Sequence, residues 1–236
     1  NPASCTCATG TPRAPDVLTI ERIGRDGLRA YLLRQLEHHF PDGRDCGKTI
    51  DAHLDAALER LRHCIARVRP WTPERFDYLH STQYCQFLYY LANTIWRADG
   101  GAETEVPTKL FLLNKALNGI DCYYEIALPE AFYIGHSVGI VLAKASYGER
   151  LVLYQNSTVG KNRGVAPVIE HDVVLYPNTA VIGRSRVRAG SVVAQGVSVI
   201  NRDTPGNCFV FTGPFGAGEL AFKEVREPVI GDFFRD

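Results

Sequence analysis

Several ordinary signals are missing from this chain, and each absence narrows what it can do. Charge of one sign is not in excess: 26 Lys and Arg stand against 26 Asp and Glu. Nothing in that balance points to nucleic acid or to an anionic membrane. No apolar run is long enough to span a bilayer, and no secretory-type leader opens the sequence given. A membrane partner is therefore not expected, and the cytoplasm is the expected compartment. The chain begins at Asn1 without a methionine, which leaves room for a segment ahead of it. A disulfide framework is also missing. The cysteines at 5, 7, 46, 64, 85, 122 and 208 are odd in number and scattered. Cys64 and Cys85 lie in helical patterns and read as small buried thiols. Cys5 and Cys7 form a CxC in a Pro, Thr and Ala-rich tail, residues 1–15, expected to be flexible. Finally, no Gly-rich phosphate-binding strand–turn–helix unit stands at the front, which argues against a nucleotidyltransferase.

What is present divides into two halves with different periods. Over residues 16–120 the apolar spacing is helical: Leu54, Ala57, Leu58, Leu61, Ile65 and Val68 form one stripe. Thr49 reads as its N-cap, and Thr72-Pro73 as the start of the next helix. That next segment is dense in aromatics, including Phe76, Tyr78, Tyr84, Phe87, Tyr89, Tyr90 and Trp96, and reads as core or subunit contact. Asp99-Gly100-Gly101 breaks the pattern before a last helix over residues 108–118.

Beyond Ile120 an aliphatic or aromatic residue returns every six positions: Val141, Tyr147, Leu153, Val159, then Ile169, Leu175, Val181, Val187, Val193 and Val199. Four extra residues interrupt the series between Val159 and Ile169. Small or β-branched residues follow many anchors four places on, as at Ala145, Ser157, Val173, Thr179, Ser185, Ser191 and Val197. A period of six fits neither an α-helix nor an alternating strand. It fits a triangular coil in which three hexads make one turn of about eighteen residues. The predicted architecture is therefore an α+β multidomain chain. An α-helical N-terminal domain, residues 16–120, is followed by a parallel β-helix of hexapeptide repeats over residues 121–200, with about four coils from Ile134 to Ile200. Residues 201–236, rich in Gly and Pro, are expected to cap the open end. The register predicts one column of Gly135, Leu153, Leu175 and Val193, with His136, Tyr154, Tyr176 and Ala194 as its neighbours.

Coil corners are where chemistry can be placed, because each has defined neighbours ~4.8 Å above and below. The coil half holds two histidines, His136 and His171. His171, in Glu170-His171-Asp172, reads as a solvent-facing corner. His136 is flanked by Gly135 and Gly139, which permit tight turns and close approach of a ligand. Asp121 and Glu125 lie upstream by about one coil and share strand parity. A histidine held by a carboxylate can take a proton from a weakly acidic hydroxyl near neutral pH, its unperturbed pKa being ~6.5. It can then return that proton to a departing thiolate.

The segments His136-Ser137-Val138-Gly139-Ile140-Val141 and Leu153-Tyr154-Gln155-Asn156-Ser157-Thr158-Val159-Gly160, with the loop from Lys161 to Pro167, resemble the serine O-acetyltransferase family. Helices followed by a coil match the order of that family as well, and the resemblance spans residues 16–210. It implies a left-handed parallel β-helix and an acyltransferase that uses acetyl-CoA as co-substrate, without a metal. It also implies a homotrimer or dimer of trimers with sites at its interfaces. His136 is then the general base, and an upstream acid orients it. Glu125-Ile126 resembles the family's Asp-Ile, whereas Asp121 matches its spacing better, and the choice between them stays open. Acetyl-CoA is expected near Tyr154, Gln155, Asn156, Gly160, Lys161, Asn162, Tyr176, Ala194 and Gly196. Asn201, Arg202 and Lys223 are expected toward the nucleotide end.

The departures bear on the acceptor, a small molecule carrying a hydroxyl. Family members carry Asp directly before the histidine, where this chain has Gly135. They carry Arg-His before the loop proline, where it has Val165-Ala166-Pro167. Those residues hold the amine and carboxylate of an amino acid, and a buried charge left without a partner costs several kcal/mol. A sugar or specialised-metabolite hydroxyl is therefore at least as plausible as serine. Carbonic anhydrases on the same coil need three histidines around zinc, one more than the coil half offers. The rival from another class is a non-catalytic trimeric scaffold, which would have no need of His136.

Overall fold

The computed structural model describes residues 17–235 apart from 215 and 217; Cys5 and Cys7 lie outside them. Four helices come first: α1 Gly24–His39, α2 Gly47–Arg67, α3 Ser81–Ala98 and α4 Glu105–Asn118. The expected stripe is buried, Leu54, Ala57, Leu58, Leu61 and Ile65 within α2 and Val68 at its C-cap, but two expected helix starts are corrected. Thr49 lies inside α2, where the first-turn amide of Gly47 is met instead by the Asp45 carboxylate at 2.7 Å. Thr72-Pro73 forms a turn, with the Arg75 amide donating to the Thr72 carbonyl and Glu74 in the left-handed region. Proline there serves the turn, since its fixed φ suits the second turn position as well as a helix start. Arg75–Phe76 then pairs in parallel with Thr19–Ile20, and α3 begins only at Ser81. The last helix starts three residues before the expected position and ends at Gly119, whose φ of 64° closes it.

The remaining chain is a parallel β-helix with faces of five, five and three stacked strands, one of the first two faces being extended by an antiparallel partner. The core columns are Ile134, Leu153, Leu175, Val193 and Val210 on the first face. On the second they are Cys122, Leu142, Val159, Val181 and Val199. On the third, Tyr147 pairs with Ile169 and Ile169 with Val187. Two anchors of the sequence register are therefore displaced by one residue. Ile134, not Gly135, opens the first column, and Leu142, not Val141, follows Cys122 in the second. Leu142 is 4% exposed and Val141 44%. The first coil departs from the strict period, so that backward extrapolation of sixes slips there. The coil also continues past residue 200: Cys208–Thr212 adds a further parallel rung on Val192–Val193, and Leu220–Glu224 folds back antiparallel along it.

Most corners turn through a residue in the left-handed region. One corner uses Gly139, Asn156, Asn178 and Gly196, and another uses Arg150, Asp172, Gly190 and Asn207. Glycine and asparagine tolerate this conformation best. Small hydroxyls fill the inner side of the bends, as where Ser157 meets Thr179 at 3.2 Å and Ser191 meets Thr204 at 2.8 Å.

Helix α3 closes the first end of the coil. Buried polar side chains on it reach carbonyls that have no rung beneath them: Gln86 Nε2 donates to Phe132, Tyr89 Oη to Ile126, Tyr90 Oη to Glu130 and Asn93 Nδ2 to Tyr124. Leaving such groups unpaired is costly, so this helix serves as the missing strand. Arg60 of α2 joins the same contact through Glu130, Asn93 and Thr94. Cys64 and Cys85 are buried, as expected, and burial pushes their thiols up to about 11 and about 12. No helix among the described residues is long and apolar enough to cross a membrane.

Candidate active site

His136 sits on the corner after Phe132–Ile134, with its side chain exposed and its backbone tied down. The turn is braced against the end of α4. Ser137 Oγ donates to the Asn118 carbonyl at 2.8 Å, and the Gly139 amide donates to Gly119 at 2.9 Å. The imidazole makes no hydrogen bond among the described residues, and its ring neighbour is Tyr154, 6.4 Å away edge-on. A free imidazole on a rigid corner can accept or deliver a proton at a ligand, provided the ligand approaches from solvent.

Among the described residues, neither upstream acid hydrogen-bonds that ring. Asp121 Oδ2 is 2.7 Å from Lys115 Nζ, and Glu125 Oε2 is 3.2 Å from Lys144 Nζ. Their positions nonetheless differ. Asp121 pairs with Val141, and the strand leading to it lies directly beneath the turn that carries His136. Glu125 is drawn by Lys144 to the other end of the same face. His171 faces solvent as expected, with Nδ1 2.9 Å from Asp172.

The residues expected to meet acetyl-CoA fall into three places. Tyr154, Gln155, Asn156, Tyr176, Ala194 and Gly196 line the edge that holds His136. The Tyr154 and Tyr176 rings stack at 5.5 Å, and Asn156 Nδ2 donates to Asn178 at 2.9 Å. Gln155 Oε1 in this row is buried and has no partner. Gly160, Lys161 and Asn162 lie at the opposite edge of the second face, where Asn162 and Val165 bridge across a tight turn. The two residues between them, Arg163 and Gly164, both have positive φ, as such a two-residue hairpin requires. Lys223 is on the antiparallel strand beyond the last rung, paired with Phe209.

Two groups escape a reading by period. At the opposite edge, Asn162, Arg163, Val165, Arg184 and Asn201 line a depression of about 550 Å³. Lys161, Arg163, Arg184 and Arg202 form no ion pair among the described residues. The recurrence of basic residues at this corner was visible in the sequence but blended into the general polarity of corners. Beside His136, Phe233 meets Tyr154 at 6.3 Å and Tyr133 at 5.8 Å, while Trp71 backs Tyr133 at 5.7 Å. No local pattern ties residues 71, 133, 154 and 233 together, since only the docking of the C-terminal segment brings them into one place.

No family model matches the chain. It is 31% identical over 106 residues to a plasmid serine acetyltransferase of Synechococcus elongatus, a match covering 39% of this chain and 33% of that protein. The chain thus spans about a third of that curated relative. In fold it resembles the serine acetyltransferase of Brucella abortus, with a TM-score of 0.61 at 17% identity and 83% of each chain covered. It likewise resembles that of Vibrio cholerae, with a TM-score of 0.62 at 16% identity, covering 83% of this chain and 78% of that one. The helices followed by a parallel β-helix are therefore the architecture of solved serine acetyltransferases.

Proposed function

We propose that the protein is an acyltransferase that moves an acetyl group from acetyl-CoA to a hydroxyl of a small molecule, with His136 as general base. The observation that carries this reading is an exposed imidazole on a braced, glycine-flanked corner, in a β-helix that resembles serine acetyltransferases. The imidazole takes the hydroxyl proton as the acceptor oxygen attacks the thioester carbonyl. The new C–O bond forms, the tetrahedral intermediate collapses with cleavage of the C–S bond, and the imidazolium gives its proton to the leaving thiolate. The products are an acetyl ester and free CoA.

Asp121 is the better candidate to orient the ring, because it lies under the His136 turn, and it would exchange Lys115 for the imidazole when substrate is bound. Glu125 would have to leave Lys144 at the far end of the face. The pantetheine arm fits the row from Gln155 to Gly196, with Tyr154 left on the acceptor side beside His136. Lys161, Arg163, Arg184 and Arg202, which form no ion pair among the described residues, suit the phosphate-bearing end of CoA, since clustered cations favour an anionic ligand. These two edges belong to opposite corners of one chain. A homotrimer or a dimer of trimers would set the second edge of one subunit against the His136 edge of the next.

The test is release of free thiol from acetyl-CoA with serine, homoserine, sugars and amino alcohols as acceptors. His136→Ala is expected to lower the rate by about 10²–10⁴-fold. An unchanged rate in that variant removes His136 from the mechanism.

A further inference from the structure

The edge that carries His136 is also where the last described residues of the C-terminal segment dock, and they are firmly anchored. After a short turn at Val229–Asp232, Phe233 accepts a hydrogen bond at its carbonyl from the Arg69 amide at 2.7 Å. The Arg235 amide donates to Arg67 at 2.7 Å. The Arg235 guanidinium then reaches four carbonyls at and beyond the end of α2: Ala66 at 3.1 Å, Val68 at 2.6 Å, Arg69 at 2.8 Å, and Trp71. Cations at a helix C-terminus meet its unpaired carbonyls and the negative end of its dipole. The clamp holds Phe233 against Tyr133 and Tyr154, and Tyr154 is the ring that meets His136.

This wall is neutral. Burial pushes the phenols of Tyr133 and Tyr154 upward, so they stay protonated. The hydroxyls of Tyr133, Tyr154 and Tyr176 have no hydrogen-bond partner among the described residues. Directly before His136, the chain has Gly135, and the Tyr154 ring occupies the space into which a side chain at 135 would project. The ring therefore fills the place of any side chain at 135, and no acid stands there to face a ligand's charge.

Resting on the acyl-transfer reading above, we propose that Tyr133, Tyr154 and Phe233 form the acceptor-specificity surface. The hydroxyl compound they take carries an uncharged aromatic body rather than an ammonium–carboxylate pair. Tyr133, Tyr154 and Phe233 are specificity residues, and Arg235 is a positioning residue that acts through Phe233.

The test compares 2-phenylethanol, glucose, choline and serine as acceptors by thiol release. It is joined to saturation-transfer NMR of 2-phenylethanol binding in the absence of acetyl-CoA. The expected result is that 2-phenylethanol has the highest kcat/KM. Phe233→Ala should raise its KM about tenfold, the size of effect a lost aromatic contact gives, and leave the KM for acetyl-CoA unchanged. Arg235→Ala should move the same constant in the same direction. Phe233→Leu, which keeps apolar volume, controls for folding by its thermal melting and should recover part of the binding. Higher kcat/KM for serine or choline, or an acceptor KM unmoved by Phe233→Ala, overturns the proposal. Binding of 2-phenylethanol that is lost in Phe233→Ala, without thiol release to any acceptor, sustains the wall and overturns the acyl-transfer reading instead.

Discussion

The ring of Tyr154 rests on Gly135 so closely that a β-carbon at 135 would stand 2.5 Å from Tyr154 Cε1 and 2.7 Å from Cδ1. The ring has little freedom to retreat, with Tyr176 stacked on it and Phe233 against it. Gly135→Asp is therefore expected to destabilise the protein by about 1–3 kcal/mol through overpacking. Adding Tyr154→Leu should restore more than half of that loss. Urea unfolding of the two single variants and the double variant reads the coupling directly; additive effects would mean that the ring and the glycine are independent.

The displaced register at the start of the coil makes a second expectation. Leu142→Ala should cost about 2–5 kcal/mol, as for other buried leucines. Val141→Ala, on the outer side of the same strand, should stay within about 0.5 kcal/mol. If the hexad series ran through Val141, the order of the two effects in denaturant midpoints would be reversed.

This slip shows where the sequence is a good guide and where it stops. From Leu153 to Val199 the period alone identifies the inward residues, because each rung is built on the rung before it. At Ile134 and Leu142 the series slips by one residue although each still pairs with a neighbouring strand, so the period does not extend backward into the first coil. The candidate base was legible for a related reason: a histidine between glycines at a corner is a local pattern. Phe233, Arg235 and Trp71 were not, because their meeting depends on contacts between the two ends of the described chain. The carboxylates fell between these cases. Their upstream spacing was visible, but their engagement by Lys115 and Lys144 is a tertiary fact.

Asp121 and Glu125 can be separated kinetically. Asp121→Asn is expected to lower kcat by at least about tenfold, in line with losing the partner of a general base. Glu125→Gln should leave kcat within about twofold, since its ion pair with Lys144 is exposed and such pairs contribute little. The pH–rate profile of the Asp121 variant should also be displaced, which a purely structural role would not produce.

The lysine cluster between α4 and the loop after α1 predicts a pH dependence of stability. Lys109 Nζ lies 2.8 Å from Asp42 and 3.1 Å from Glu105. The hydrogen bond from Lys109 is the main cause that holds both carboxyls below their ordinary values. The bond to Asp42 is the main cause that raises the lysine. Depressed carboxyls contribute stability above their unfolded values of ~4, and that contribution is lost as pH falls through the folded values. The raised lysine contributes fully below ~10.4 and loses its share as pH rises through its folded value. The cluster is thus complete from about pH 5 to about pH 10. Lys109→Met should lower Tm at pH 7, and its difference from the unmutated protein should shrink as the pH is taken below ~4.

The clamp at Arg235 also has a bearing on the order of events during synthesis. The carbonyls it satisfies end at Trp71, yet the guanidinium lies 169 positions after Ala66 in the chain. While a ribosome is still making the coil, the end of α2 lacks its Arg235 donors, and the edge beside His136 lacks Phe233. The helical half can assemble early, but its seam is finished only after every rung has been added. A nascent chain halted before residue 233 should therefore remain open to protease between α2 and α3, and become resistant once the clamping residues have emerged.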